Sequence, residues 1–120
     1  MTKTAPRLLQ DCVNLTKVNW PESLTALGSD TFRNCTGLNE LDLPSTVKEI
    51  GNYAYANCTG LTEITLPDSV TKIGNFAFDG CSSLAEADLP SGLEELDGCA
   101  FRNCTSLTKI TIPASLTKIY

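Results

Sequence analysis

The chain has 120 residues, 42% of them hydrophobic, which is enough for one domain with its own core. Its formal net charge is −5, so it lacks the clustered lysines and arginines that a nucleic-acid partner requires. There is no histidine, which excludes Ser-His and Cys-His nucleophilic pairs and imidazole metal ligands.

Neither a membrane segment nor a cofactor site is indicated. No apolar run is long enough to span a bilayer, so we expect no membrane insertion. The first ten residues lack the apolar stretch of a signal peptide, and the localisation stays open. Zinc sites favour Cys-x₂₋₄-Cys spacing, and no such spacing occurs; the nearest pair is Cys99 and Cys104. We therefore expect no metal and no cofactor.

A spacing of 23 residues dominates the chain. The second and third full repeats are identical at ten of 23 positions, and no insertion breaks the register from Cys12 onward. Such a period predicts a solenoid, in which each repeat forms one coil, here called a rung, and stacked rungs share a core. We expect a single domain over residues 1–120. It comprises a half repeat at 1–14, full repeats at 15–37, 38–60, 61–83 and 84–106, and a partial repeat at 107–120.

Taken in chain order, the half repeat comes first. We expect residues 1–8 to fold over the first rung at most, because the segment is too short to contribute much to it. Each full repeat then opens with the pattern of a short strand, as in Leu61, Ile64 and Leu66. A proline, Pro67 in this repeat, ends the strand because it cannot donate to a ladder.

The rest of each repeat contains a second extended segment and a compact turn. Val70 and Ile73 indicate the extended segment, and Gly74 marks a turn. Ala77 and Cys81 are spaced for one turn of 3₁₀ or α-helix. Stacked rungs would pair their strands in parallel, about 4.8 Å apart. The predicted fold is an α/β solenoid, mostly β, with a parallel sheet, short second strands and one-turn helices.

The pattern L-x-x-[IL]-x-L-P-x-x-[VL]-x-x-[IL]-G-x-x-A-[FY]-x-x-C resembles the BspA-like class of leucine-rich repeat over about residues 9–120. The resemblance implies a curved right-handed coil with a concave parallel sheet. It also implies surface or secreted proteins of bacteria and protists that act in adhesion or protein recognition. Thr31, Ala87 and Asp97 depart from the pattern, and Ala87 predicts a shallower core unless a neighbour such as Phe101 fills the space.

Five of the six cysteines belong to the 23-residue series: Cys12, Cys35, Cys58, Cys81 and Cys104. We expect them to form a buried, reduced column, because free cysteine packs as a small hydrophobe. Disulfides between neighbouring rungs are the alternative, since stacking brings such cysteines close to bonding distance. Cys99 stands outside the series, and we expect it to be more exposed and to react first.

The outward positions of the predicted strand carry acidic residues. Stacking would place Glu40, Glu63 and Glu86 in one column between Lys17 and Lys109. The candidate binding residues on this face are Glu40, Asp42, Glu63, Thr65, Glu86 and Asp88. One interpretation is an acidic strip for a basic partner or a cation, and the other is a solvated face without a partner.

Tyr53 and Phe76 occupy the same position of adjacent repeats, just before the core alanine. We expect them at the surface or its edge, stacked on each other. They are candidate aromatic contacts for a partner, or else they cover the side of the coil.

The pattern leaves few residues to build a catalytic pocket, so we expect no enzyme. The first hypothesis is a protein-binding or adhesion module that presents the concave sheet to a protein partner, a basic one being the specific candidate. The alternative is a structural, self-assembling element. No cap is visible in residues 107–120, which predicts either a fragment of a longer protein or a homo-oligomer joined through its end strands.

Overall fold

A computed structural model describes residues 2–119 of the chain. Eight short strands form within this range, all paired in parallel. Their bounds are β1 Ala26–Leu27, β2 Glu49–Ile50, β3 Glu63–Thr65, β4 Lys72–Ile73, β5 Glu86–Asp88, β6 Glu95–Leu96, β7 Lys109–Thr111 and β8 Lys118–Ile119.

The strands make two sheets, one on each side of a shared core. One sheet has three strands in the order β3-β5-β7, and the other has five in the order β1-β2-β4-β6-β8. Every pair joins residues 23 apart, such as Ile64 with Ala87 and Ile50 with Ile73. The predicted parallel-sheet solenoid is confirmed, and equivalent residues of successive repeats lie side by side.

The predicted one-turn helices are not confirmed. Within residues 2–119 the corresponding segments form successive turns, and two residues of each have positive φ, as Phe76 at 57° and Gly80 at 75° do. A helix would keep its hydrogen bonds within the segment. Here Phe78 N instead donates to Ala100 O of the next rung at 2.8 Å, and Gly80 N to Arg102 O at 2.8 Å. The residues with positive φ orient every second N–H group along the solenoid axis. Hydrogen bonds between rungs therefore take the place of a helix.

The three-stranded sheet is shorter than the sequence predicts. Its strands come from residues 61–83, 84–106 and 107–119, and the equivalent segments of the first two full repeats, residues 15–20 and 38–43, form no strand. Asp42 has φ 45°, which is outside the strand region. A hydrogen bond from Asn39 N to Thr16 O, 3.3 Å long, still connects these two rungs.

Residues 2–4 do more than the sequence predicts, because they extend the five-stranded sheet. Lys3 forms a parallel bridge with Ala26, and Thr4 is only 1% exposed. The hydroxyl groups of Thr4 and Thr31 lie 2.8 Å apart, and Thr31 Oγ1 also donates to Gly28 O at 2.7 Å. The departure from alanine at Thr31 is therefore explained by a buried hydroxyl pair.

A column of aromatic rings runs through the core. Phe32, Tyr55, Phe78 and Phe101 stack with ring centroids 5.1, 5.2 and 5.4 Å apart and nearly parallel planes. Trp20 closes one end with an edge-on contact to Phe32 at 5.8 Å. Tyr55 is fully buried, and its Oη has no hydrogen-bond partner in the described part of the chain. A buried, unpaired hydroxyl group is destabilising.

We expect Tyr55→Phe to raise the free energy of unfolding by about 1 kcal/mol, because it removes the unpaired hydroxyl and keeps the ring stack. Phe78→Tyr, at the same position of the next repeat, is the matched control and should lower it. Urea unfolding followed by circular dichroism measures both. A clear loss of stability in Tyr55→Phe would show that Oη is hydrogen bonded in solution.

Candidate functional site

The outward face of the three-stranded sheet carries four of the six predicted contact residues. Glu63 pairs in register with Glu86, and Thr65 with Asp88, and all four are exposed. On the next strand, Lys109 lies beside Glu86 and Thr111 beside Asp88. Glu63, Glu86 and Asp88 therefore form an acidic patch bordered by one lysine.

The other two predicted residues belong to an ion-paired group next to this patch. Lys17 Nζ lies 2.9 Å from Asp42 Oδ2 and 3.6 Å from Glu40 Oε2. The hydrogen bond to Asp42 raises the pKa of Lys17. Lys17, with one positive charge, thus offsets about half of the negative charge of Glu40 and Asp42, and the other acidic residues of this face, Glu63, Glu86 and Asp88, lie further along the sheet.

Two shallow grooves cross this face. One of about 210 Å³ is lined by Glu40, Leu41, Asp42, Glu63 and neighbours, and one of about 120 Å³ by Glu86, Ala87, Asp88, Lys109 and Thr111. Both are open to solvent, so they suit contact with an extended segment better than enclosure of a small molecule. The grooves make this face uneven, but neither of them forms a deep pocket.

Tyr53 and Phe76 stack on the flank of the solenoid, as the sequence predicts. Their ring centroids are 4.9 Å apart with planes 10° from parallel, and both side chains are half-buried. Arg33 covers the other face of Tyr53 at 4.8 Å, and Arg102 covers the other face of Phe76 at 4.6 Å. Since both outer ring faces are occupied, this arrangement favours a covering role over stacking with a partner.

The two arginines were not singled out from the sequence. Each is fixed by an aspartate: Arg33 Nη1 lies 3.1 Å from Asp30 Oδ1, and Arg102 forms two hydrogen bonds to Asp79 at 3.1 and 3.0 Å. The sequence did contain a signal for these arginines, namely the stacking of repeats. Stacking brings the residue three positions after the aromatic position next to the aromatic ring of a neighbouring repeat.

The cysteine column is built around shared carbonyl groups. Phe32 O accepts the N–H of Cys35 at 3.0 Å and the thiol of Cys58, one rung further, at 3.1 Å. Tyr55 O, in the next rung, accepts the thiol of Cys81 at 3.2 Å. All six cysteines are free in the described residues 2–119, and Cys99 is exposed, as the sequence predicts. The buried column is shorter than predicted, because Cys35, Cys58 and Cys81 are buried whereas the end members Cys12 and Cys104 are half-buried. Each thiol hydrogen bond therefore connects two rungs from inside the core.

Burial affects the acidity of these thiols. Desolvation raises the pKa of Cys58 to about 12 and also raises that of Cys35. The neighbouring Cys104 sulfur and burial together raise the pKa of Cys81 well above the usual thiol range. The neighbouring Cys81 sulfur lowers the pKa of Cys104, which is half-buried.

Within residues 2–119, no group of three or more Cys, Asp or Glu side chains is arranged to hold a metal ion. The same range contains no helix that is both long and apolar enough to cross a membrane.

The sequence profile of the BspA type leucine rich repeat region matches residues 2–120 in six copies. A leucine rich cell surface protein from Faecalibacterium prausnitzii is 30% identical with a TM-score of 0.87, and the match covers 91% of this chain and 29% of that protein. The T. pallidum leucine rich repeat protein is 27% identical with a TM-score of 0.72, over 98% of this chain and 66% of that one. A leucine-rich repeat protein from Eubacterium ventriosum is 26% identical with a TM-score of 0.82, and the match covers 96% of this chain and 31% of that protein. No curated protein is similar enough to match.

Titration of the buried thiols should destabilise the fold at alkaline pH. The pKa of Cys58 is raised on folding, so its stabilisation is complete below the unfolded value, about 8.5, and falls as the pH rises towards about 12. The loss from this one group is about 1.4 kcal/mol per pH unit. Urea unfolding from about pH 8 to about pH 11 in reductant measures it. Cys58→Ala should show a shallower pH dependence, and an unchanged slope would contradict the assignment.

Proposed function

The chain belongs to the BspA-type leucine-rich repeat family, and from this we propose that it is a non-catalytic protein-binding module whose contact surface is the outward face of the three-stranded sheet. Members of the family are generally protein-interaction or surface modules. The F. prausnitzii neighbour is described as a cell surface protein, and we extend the proposal to adhesion or recognition at a cell surface.

The acidic patch of Glu63, Glu86 and Asp88 carries the proposal. These side chains are exposed on adjacent paired strands, where like charges face each other one strand spacing apart. A basic segment lying across the strands would relieve this repulsion and fit the two grooves. The partner is therefore a protein with an exposed, lysine- or arginine-rich extended segment.

Lys17 limits the same surface. It lies within salt-bridge distance of Glu40 and Asp42, so a basic partner must compete with it there. The contact is accordingly centred on the acidic patch of Glu63, Glu86 and Asp88, and Glu40 and Asp42 lie at its rim.

Two sets of substitutions on this face should act in opposite directions on a basic probe. Glu63→Gln combined with Glu86→Gln should weaken binding of a fluorescent hexalysine peptide about tenfold, because it removes two of the three charges of the patch. Lys17→Ala should strengthen binding several-fold by releasing Glu40 and Asp42. Fluorescence anisotropy at low and high salt measures both.

Glu49→Gln combined with Glu94→Gln, on and next to the other sheet, also removes two charges; it is the matched control and should leave hexalysine binding unchanged. Equal effects of the control and of the patch variants would show that net charge, and not this face, determines binding. If the double variant with Glu63→Gln and Glu86→Gln bound hexalysine more tightly than the unsubstituted chain, the proposed surface would be refuted.

Self-association through the last rung is the second candidate, and exposed apolar side chains favour it. Ile110, Ile112 and Ile119 are 38, 56 and 64% exposed. Stacking this rung on the first repeats of another copy in register would place Lys109 beside Lys17, a repulsive contact. Antiparallel pairing of β7 with β7 of a second copy avoids this contact and closes at two copies.

Light scattering across concentration tests this second candidate. We expect the mass to rise from 12.9 kDa to twice that value and then to level off, whatever the redox state. Ile110→Lys should keep the chain monomeric. A mass that stays at 12.9 kDa would eliminate self-association, and one that grows without limit would indicate head-to-tail stacking.

A further inference from the structure

Cys81 and Cys104 occupy the same position of adjacent rungs and share one acceptor. Phe78 O accepts the backbone N–H of Cys81 at 3.3 Å and the thiol of Cys104 at 3.2 Å. The backbone next to Cys81 is hydrogen bonded to the following rung, since Gly80 N donates to Arg102 O at 2.8 Å. Rungs paired in this way lie about 4.8 Å apart, which is inside the Cα–Cα range that a disulfide spans.

The two thiols differ in access. Cys81 is fully buried, whereas Cys104 is half-buried and can meet a small reagent. Each thiol donates to a carbonyl of the preceding rung, Cys81 to Tyr55 O and Cys104 to Phe78 O, both at 3.2 Å. Of the two, Cys104 is therefore placed to react first, with a second thiol in the adjacent rung.

We propose that Cys81 and Cys104 are a redox-responsive pair, which hydrogen peroxide converts into a disulfide joining two adjacent repeats. The Cys104 thiolate attacks a peroxide oxygen, so the S–O bond forms, the O–O bond breaks, and the departing oxygen leaves as water after protonation. The Cys81 sulfur then attacks the sulfenic sulfur of Cys104. The S–S bond forms, the S–O bond breaks, and the Cys81 proton leaves with the hydroxyl group as a second water.

The column contains a matched control pair. Cys35 and Cys58 are also one rung apart and also share a carbonyl, Phe32 O, but both are fully buried. If adjacency alone determined reactivity, both pairs would be oxidised at the same rate. If access to the half-buried Cys104 determines it, only the pair of Cys81 and Cys104 is oxidised quickly.

The experiment uses the folded chain carrying Cys99→Ser, because Cys99 is exposed and shares a tryptic peptide with Cys81. The chain is treated with hydrogen peroxide, free thiols are blocked with N-ethylmaleimide, and tryptic peptides are analysed by mass spectrometry. Cys81 and Cys104 then lie on separate peptides, residues 73–102 and 103–109, as do Cys35 and Cys58.

We expect the peptide pair joined through Cys81 and Cys104 to accumulate about tenfold faster than the Cys35–Cys58 pair, and to disappear on addition of dithiothreitol. In the chain that also carries Cys81→Ser, dimedone should label Cys104 more strongly, because the resolving thiol is absent. Equal rates for the two pairs would overturn the proposal. The proposal would also be overturned if dimedone labelled Cys104 equally in the chains with and without Cys81. This comparison requires only that circular dichroism shows both chains to be folded.

Discussion

Each rung of this solenoid is fixed by hydrogen bonds to the next, and this stacking constraint governs the rest of the structure. The carbonyl of Phe32 illustrates it, since it receives an N–H of its own rung and the thiol of Cys58 from the next. A thiol can make this bond while packing as an apolar group. The constraint therefore selects cysteine at this position, and side chains on the axis line up as columns of sulfur, rings and aliphatic groups.

The same constraint explains what could be predicted from the sequence. The period of 23 residues determines which residues become neighbours, so the pairing of Ile64 with Ala87 and the stacking of Tyr53 on Phe76 follow from counting alone. The backbone of each turn does not follow from counting. Phe76 adopts positive φ although bulky residues rarely do, because its N–H must point to the next rung. Spacing alone predicts a helix there.

Local departures from the repeat show where the constraint is relaxed or satisfied differently. Thr31 replaces a small apolar residue but is paired with Thr4, which the sequence pattern could not reveal because Thr4 lies outside the full repeats. Asp42 leaves the strand region, so the three-stranded sheet stops short of Glu40 and Asp42. The contact of Lys17 with Glu40 was predictable from the 23-residue spacing, whereas the shorter contact with Asp42, at 2.9 Å, was not and lies where the backbone leaves the strand region.

The stacking of rungs does not determine which side chains stand at outward positions. Specificity for a partner would therefore depend on the side chains at these positions. At the position of Phe76, the neighbouring repeats have Asp30, Tyr53 and Cys99, all with positive φ, because the backbone and not the side chain meets the packing requirement. On the sheet face the repeated glutamates Glu63 and Glu86 repel each other, and no core contact requires them. A like-charged pair that the fold does not need is the reason for placing the proposed contact surface at the acidic patch. Substitutions there leave the core contacts and the stacking of the rungs in place, so they test the proposed function separately from the fold.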